Sequence, residues 1–538
     1  MLRRNVSLLF LAILFTGCGG APGPMDGGTE LADATVADPQ RALGLAPLDH
    51  LNSLSADPTA IIPVSALEAD YETVFGSLSQ TLGVTETTPQ VVADIHFIAS
   101  QPETGFFDLA KKPILNNPLG VTGVSFQPVN YDTTVSLPGG NQTFHVSGGL
   151  LMPVGISKAQ VKGIVVYFHG TTFNNAQVGS TFAGSGETQL VAQVFASAGY
   201  IVIIPDYVGQ GVDFVHVHPY VLYPKVSAQT AADMLAAVKP KLTTQYGFSG
   251  TDTLKLFSMG YSEGGSYALW FNQYLSSTPA AVDPFYRLTH SVGLEGAYSA
   301  SEVTFGFLFD DVRSDQGNTY NIQSQSLTNS VKAILSADAF LSYAAYSGGG
   351  DFSAVFQPDF FAMKATPGVA QNDCNVNGTQ LSIADAFALP GATIASQLLS
   401  CALGKSANGA RFPDRLNVSY STQNSVKALV STALFTPGPL AQLKAALSAA
   451  DTDLSAVADA GVSIVTLDQD SVVVPNNFDA LLAKFPSKIK NALKIDHTQL
   501  QVLSALSPSL RKAVFVPVDH MHGLVYEYLY ALHIFNGF

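Results

Sequence analysis

Gly260-Tyr261-Ser262-Glu263-Gly264 sets a hydroxyl nucleophile between two residues without side-chain bulk. The apolar run Thr253–Met259 before it reads as a strand, and Gly265-Ser266-Tyr267-Ala268-Leu269-Trp270 after it reads as a helix start. Strand, G-x-S-x-G and helix in that order describe a nucleophile elbow. The turn is so tight that the serine takes a strained backbone conformation. Gly260 and Gly264 leave room for it, while Gly265 and Ala268 let the helix sit close to the sheet. Ser262 Oγ is then presented at the top of the sheet, with the positive end of a helix dipole behind it.

A seryl hydroxyl needs a base, and the base needs a carboxylate to orient it. In this strand–turn–helix context the chain order is serine, acid, histidine. Downstream, the strand-like Val462–Leu467 runs into Asp468-Gln469-Asp470 and then an apolar stretch ending at Pro475. Loop position favours Asp470 as the acid, with Asp468 as the alternative. Val514–Val518 runs into Asp519-His520-Met521-His522. His520 is nearer the strand end and is the expected base, with His522 as the alternative. The oxyanion hole is expected from the backbone N–H of Glu263 and that of Thr171, or of Thr172, just after His169-Gly170. His216-Val217-His218 could set two imidazoles on one strand face, but no third ligand stands nearby. No metal or other cofactor is therefore expected, and His218-Pro219-Tyr220 is read as shaping the cleft.

The elements that must hold these residues alternate. Val121–Tyr131 and Thr143–Pro153 flank Leu137-Pro138-Gly139-Gly140-Asn141 and predict a hairpin. Gly163–Phe168 and Tyr200–Ile204 are continuously apolar, as strands buried on both faces are. Gln189–Ala198 and Lys225–Lys241 read as helices, and Thr289–Gly296 as a strand. Strands alternating with helices predict a mostly parallel, doubly wound α/β sheet. The alternation stops across 301–455, a stretch too long for a plain connection. It is read as a helical cap inserted between a first core segment, 119–300, and a second, 456–538. Residues 41–118 read as a helical extension ahead of the core.

Charged residues make up only 12% of the 538, and the net charge is −15. With no basic patch, nucleic acid is not an expected partner. Leu2-Arg3-Arg4, an apolar stretch from Leu8 to Phe15, and Thr16-Gly17-Cys18 read as a secretory signal, 1–18. Residues 19–40, rich in Gly, Pro, Ala and Asp, read as a flexible tether. Cys374 and Cys401 remain, and an oxidising envelope favours pairing them. In the chain-entropy picture such a bridge is worth about 3.5 kcal/mol. Oligomeric state is not readable.

Several of these pieces resemble the secretory-lipase (lipase-A-like) branch of the α/β-hydrolases. They are Val146-Ser147-Gly148-Gly149-Leu150-Leu151-Met152-Pro153, Phe168-His169-Gly170-Thr171-Thr172, Pro205-Asp206-Tyr207-Val208-Gly209-Gln210-Gly211, His218-Pro219-Tyr220 and the elbow itself. The resemblance covers about 120–300 and 460–538. In one place the chain departs: Asp470 stands one residue farther from Pro475 than the acid does in that pattern. The resemblance implies an α/β-hydrolase fold and a lipase or carboxylesterase acting without metal on esters with an apolar acyl group. The signal, ending on Gly-Cys, similarly resembles that of a bacterial lipoprotein. It implies lipidation of Cys18 and a membrane anchor at the cell envelope, with Gly19 suggesting the outer membrane. Two other readings compete: a serine peptidase of the prolyl-oligopeptidase type, against which no upstream repeat array is found, and a non-catalytic surface-binding lipoprotein.

Overall fold

The structure, a computed structural model, describes residues 61–63, 119–172, 177–182, 185–213, 216–308, 320, positions within 335–347, 375–376, 379–380, 437–495 and 520–538. A nine-stranded sheet runs through it. In chain order its strands are β1 (Ile61–Pro63), β2 (Gly123–Leu137), β3 (Gly140–Val154), β4 (Gly163–Phe168), β5 (Tyr200–Pro205), β6 (Leu254–Tyr261), β7 (Tyr286–Leu294), β10 (Val462–Leu467) and β11 (Ile489–Ile495). A separate small hairpin joins β8 (Asn375–Val376) to β9 (Thr379–Gln380).

Spatial order across the sheet is β1-β2-β3-β5-β4-β6-β7-β10-β11. From β5 to β11 every pairing is parallel, whereas β1, β2 and β3 join antiparallel at one edge. The expected hairpin is present and longer than its apolar alternation suggests, pairing Gly123 with Val154 through to Leu137 with Gly140.

The parallel strands have both faces covered, which explains their unbroken apolar runs. Ile164, Val166 and Phe168 of β4 face one core, with Ile201 and Ile203 of β5. Helices α2 (Pro224–Tyr246) and α3 (Glu263–Ser277) close that side through Met234, Leu235 and Phe271. Val165 and Tyr167, with Val202 and Ile204, face the other core. There the cover is α1 (Gly186–Val191), which continues as a π-helical turn over Ala192–Ala196, and α7 (His520–Asn536), through Phe195, Tyr528 and Phe535.

The remaining described helices are α4 (Phe305–Leu308), α5 (Pro437–Ala450) and α6 (Asn476–Lys484). Several elements differ from the sequence reading: the stretch 41–118, read as helical, contributes strand β1, and the stretch 301–455, also read as helical, contains the β8–β9 hairpin. The strand expected over 289–296 is β7, which begins at Tyr286 and stops at Leu294. Strand β11 and helix α6 were not foreseen: β11 mixes Lys490, Asn491 and Lys494 irregularly with apolar residues because it is an edge, half-buried at most positions. Most of the expected cap lies outside the described residues. Its described parts include α4 and α5, and the Trp270 indole N–H of α3 donates to Ala450 O at 3.0 Å, tying α5 to the core. Residues 1–60, both cysteines of the expected disulfide and the 512–518 strand also lie outside. No helix among the described residues is long and apolar enough to cross a membrane.

Candidate active site

Ser262 stands between β6 and α3 with φ 59° and ψ −119°, a conformation costly for a residue with a Cβ. The glycines around it are required by backbone contacts. A Cβ on Gly264 would lie 2.0 Å from Phe168 O, and one on Gly260 would lie 2.1 Å from Gly264 O. On Gly265 it would lie 2.3 Å from Leu294 O, so β4, β7 and α3 all press on the turn. The Ser262 N–H donates to Leu294 O at 2.9 Å, pinning the elbow to β7.

His520, the first residue of α7, reaches back to the elbow. Its Nε2 is 2.9 Å from Ser262 Oγ and its Nδ1 is 2.7 Å from Asp470 Oδ2. With Nδ1–H donating to the carboxylate, Nε2 is left to accept the seryl proton. Asp470 is fixed in turn, because the N–H groups of Val472 and Val473 donate to its Oδ1 at 2.7 and 3.0 Å. Asp468 stands two residues earlier, half-buried, with its backbone N–H given to Ile495 O. The structure thus brings together Ser262, Asp470 and His520. His522 lies in α7, but its side chain is outside the described residues. The turn after β10 keeps the Asp470 carboxylate on the imidazole.

The loop after β4 is held at three points. Tyr207 OH donates to His169 O at 2.8 Å, and His169 Nδ1–H donates to Gly170 O at 2.8 Å. The Gly170 N–H donates to Glu187 Oε2 at 3.0 Å, and the Tyr167 hydroxyl donates to the same oxygen at 2.6 Å. Thr171 follows directly, its Oγ1 3.1 Å from Tyr220 OH. Glu263, the other expected amide donor, opens α3, where the first helical N–H groups have no partner within the helix.

The Glu263 side chain has its own role. Its Oε1 accepts from His218 Nε2 at 2.5 Å and from Tyr267 OH at 2.6 Å. His218 Nδ1 lies 3.0 Å from Val208 O, so both ring nitrogens face acceptors and the ring is suited to carrying two protons. Burial pushes the imidazole pKa down, but Glu263 more than offsets this and holds it above its ordinary value. Ser342, from the stretch expected to form a cap, meets this loop: the Tyr220 N–H donates to Ser342 Oγ at 2.9 Å, and the Ser342 hydroxyl donates to His218 O at 2.5 Å. His216 instead pairs with Asp213 at 2.7 Å, apart from His218, so the two do not share a ligand set.

A cavity opens over the serine, roughly 430 Å³ counting its mouth. Val221, Phe307, Leu308, Leu335 and Val472–Val474 make it mainly apolar, with Ser262 and Glu263 at its floor. Glu295, Asp470 and His520 offer ligand atoms within 4.8 Å of one another, close enough to surround a cation. Both imidazole nitrogens are already engaged, however, one with the serine and one with Asp470, so the arrangement fits proton transfer. Burial pushes the His520 pKa down, yet Asp470 and then Glu295 outweigh it and hold it well above its ordinary value.

Sequence reasoning missed Glu187, Glu295 and Glu527. Only Glu295 carried a local signal, a carboxylate at the end of a predicted strand.

No family model matches the chain, and no curated protein matches it. Among solved structures, a candidate hydrolase of Legionella pneumophila is similar at 19% identity and TM-score 0.51, over 81% of this chain and 95% of that one. The rice cell wall degrading esterase LipA of Xanthomonas oryzae is similar at 18% identity and TM-score 0.49, over 74% and 92%. Candida antarctica lipase A is similar at 12% identity and TM-score 0.41, over 74% and 79%. At such identities a likeness speaks to fold alone. Together with the sheet order, the first of these shows that the chain has an α/β-hydrolase fold.

Proposed function

We propose that the protein is a serine hydrolase that cleaves carboxylic esters, a lipase or carboxylesterase, through an acyl-enzyme on Ser262. The observation that carries this reading is His520 standing 2.9 Å from Ser262 Oγ and 2.7 Å from Asp470. His520 Nε2 takes the seryl proton as Oγ attacks the ester carbonyl, and then returns it to the leaving alcohol. Asp470 keeps Nδ1–H pointed away from the serine and stabilises the imidazolium that forms. The backbone N–H groups of Thr171 and Glu263 hold the oxyanion, the first on a loop pinned through Gly170 and Glu187, the second at the start of α3. Water, activated by the same imidazole, releases the acid.

An apolar acyl group suits the cavity of Phe307, Leu308 and Leu335 above the serine. The chain's own motifs favour a lipase-A-like enzyme whose cap spans 301–455. Its N-terminal Thr16-Gly17-Cys18 favours a lipidated, envelope-anchored protein. Turnover of p-nitrophenyl esters against aminoacyl-p-nitroanilides tests the reaction: ester cleavage alone is expected, and anilide cleavage alone would make it a peptidase. Radiolabelled palmitate entering the wild type but not Cys18→Ala tests the anchor, and equal membrane retention of both without label would remove it.

A further inference from the structure

His520 faces two carboxylates on one nitrogen. Glu295 Oε2 lies 2.7 Å from Nδ1, the same distance as Asp470 Oδ2, and both side chains are fully buried. They arrive from different strands: Asp470 from the turn after β10, Glu295 from the first residue beyond β7. Glu295 takes φ 48°, a strained choice for a glutamate, in a segment where β7 could have continued. Its backbone N–H is tied to Val465 O at 2.9 Å, so the strain is held by β10.

A third carboxyl lies behind them. Glu527 is seven residues after His520 and therefore on the same face of α7, fully buried. Its carboxyl lies within electrostatic reach of that of Glu295, and among the described residues neither of its oxygens meets a protein N–H or O–H donor. A buried carboxylate that no donor meets does not keep its charge, and a buried site does not tolerate three adjacent negative charges against one imidazole. Burial, and then Glu295, push the Glu527 pKa well above its ordinary value, the direction a resident proton requires.

We propose that Glu295 is a second positioning carboxylate for His520 and that it is held by a proton residing on Glu527. The Glu527 O–H donates to Glu295, and Glu295, ionised, faces Nδ1 beside Asp470. No bond is made or broken in this arrangement beyond the proton transfers of the hydrolytic cycle. The imidazolium formed during catalysis then lies against two anions. The inference rests on the proposed hydrolase reading.

The sign of its effect on pH follows. His520 acts as a base only when neutral, and each carboxylate favours its charged form, so the acid limb of the rate profile lies high. The groups facing the ring are Asp470 and Glu295 from the strand ends, Glu527 from α7, and Tyr261, whose ring centroid is 4.8 Å away. Tyr298 and Glu187 lie farther out, within electrostatic reach of this cluster. Removing the Glu295 charge lowers the imidazole pKa and moves the acid limb to lower pH.

The test uses the full chain, with fluorophosphonate labelling of Ser262 and p-nitrophenyl ester turnover followed from pH 5 to 9. Glu295→Gln is expected to move the acid limb down by about one pH unit. Asp470→Asn is expected to lose about 10- to 100-fold in kcat, since Glu295, 2.7 Å from Nδ1, is placed to take Nδ1–H in its stead. The double variant is expected to fall by a further 100-fold or so, towards the ~10⁴ that loss of the orienting acid costs elsewhere. An unmoved acid limb in Glu295→Gln, or Asp470→Asn already as inactive as the double variant, overturns the proposal. Should Glu295→Gln fail to fold, judged by its melting transition, the Asp470→Asn residual rate still decides. A wild type that neither labels nor turns over ester sinks the hydrolase reading itself, an outcome distinct from a labelled wild type with an unmoved acid limb.

Discussion

The two halves of the site are built on different physics. The nucleophile half is contiguous in sequence and defined by backbone contact: Ser262 is forced into its turn by β4, β7 and α3 closing on three glycines. The half proposed to supply acid and base is gathered from the ends of β7 and β10 and from α7, across more than 200 residues of chain, and is defined by buried charge. The first half tolerates no added atom; the second tolerates no unmatched proton. Steric precision is written locally in a short motif, whereas a proton balance exists only once distant segments have met.

That contrast can be broken from either side. The largest effect is expected at the charge-defined half: His520→Ala should cost about 10⁵-fold in kcat, and adding Ser262→Ala should cost little more, because the two act as a unit. Steady-state kinetics on the single and double variants would expose additive losses, which contradict a shared relay. The steric half should fail differently. Gly264→Ala drives a methyl into Phe168 O and should lose upwards of about 3 kcal/mol of stability, read from denaturant melts. A stable, inactive Gly264→Ala would mean that the elbow yields more easily than its contacts suggest.

Between the halves lies Glu187, which ties Gly170 N–H to Tyr167. Glu187→Gln should lower kcat by roughly 10- to 100-fold with KM nearly unchanged, as expected when an oxyanion donor is misplaced. A rise in KM alone would make the loop a binding element instead.

The smallest effect sharpens the comparison through a second buried histidine. His290 Nε2 lies 2.8 Å from Ser463 Oγ, and among the described residues no carboxylate pairs with the ring. Burial, with Lys490 adding to it, lowers its pKa to about 3, the opposite of His520. The unfolded chain therefore binds a proton there that the folded chain refuses. Stability should fall as pH drops below about 6.5, by about 2 kcal/mol at pH 5. His290→Asn should remove that much of the pH 7 to 5 loss in thermal melts, and an unchanged slope would assign the loss to other groups.

Legibility in the sequence follows the same divide. Gly260, Ser262 and Gly264 could be read because the motif is short and its neighbours are apolar runs of opposite period. The buried strands β4, β5 and β10 were legible for the same reason. Asp470 and His520 were readable as types in the right chain order, but choosing Asp470 over Asp468 rested on loop position, and the structure adds the two amides that hold it. Glu295 escaped because the apolar run Val292–Leu294 reads on into Gly296, hiding a glutamate that leaves the strand at positive φ. Glu527 escaped because a glutamate on a helix usually faces water, and only the fold shows that this one does not. Strand β11 escaped because an edge carries lysines that blur the period-two signal.

The most direct test of the central claim is the site and pH dependence of covalent trapping. Incubated with a fluorophosphonate and digested, the protein should carry one adduct per chain on the peptide containing Ser262. Labelling should rise with pH as His520 loses its proton, and should be nearly abolished in His520→Ala. An adduct on any other residue, or full labelling of Ser262 in His520→Ala, would contradict the account.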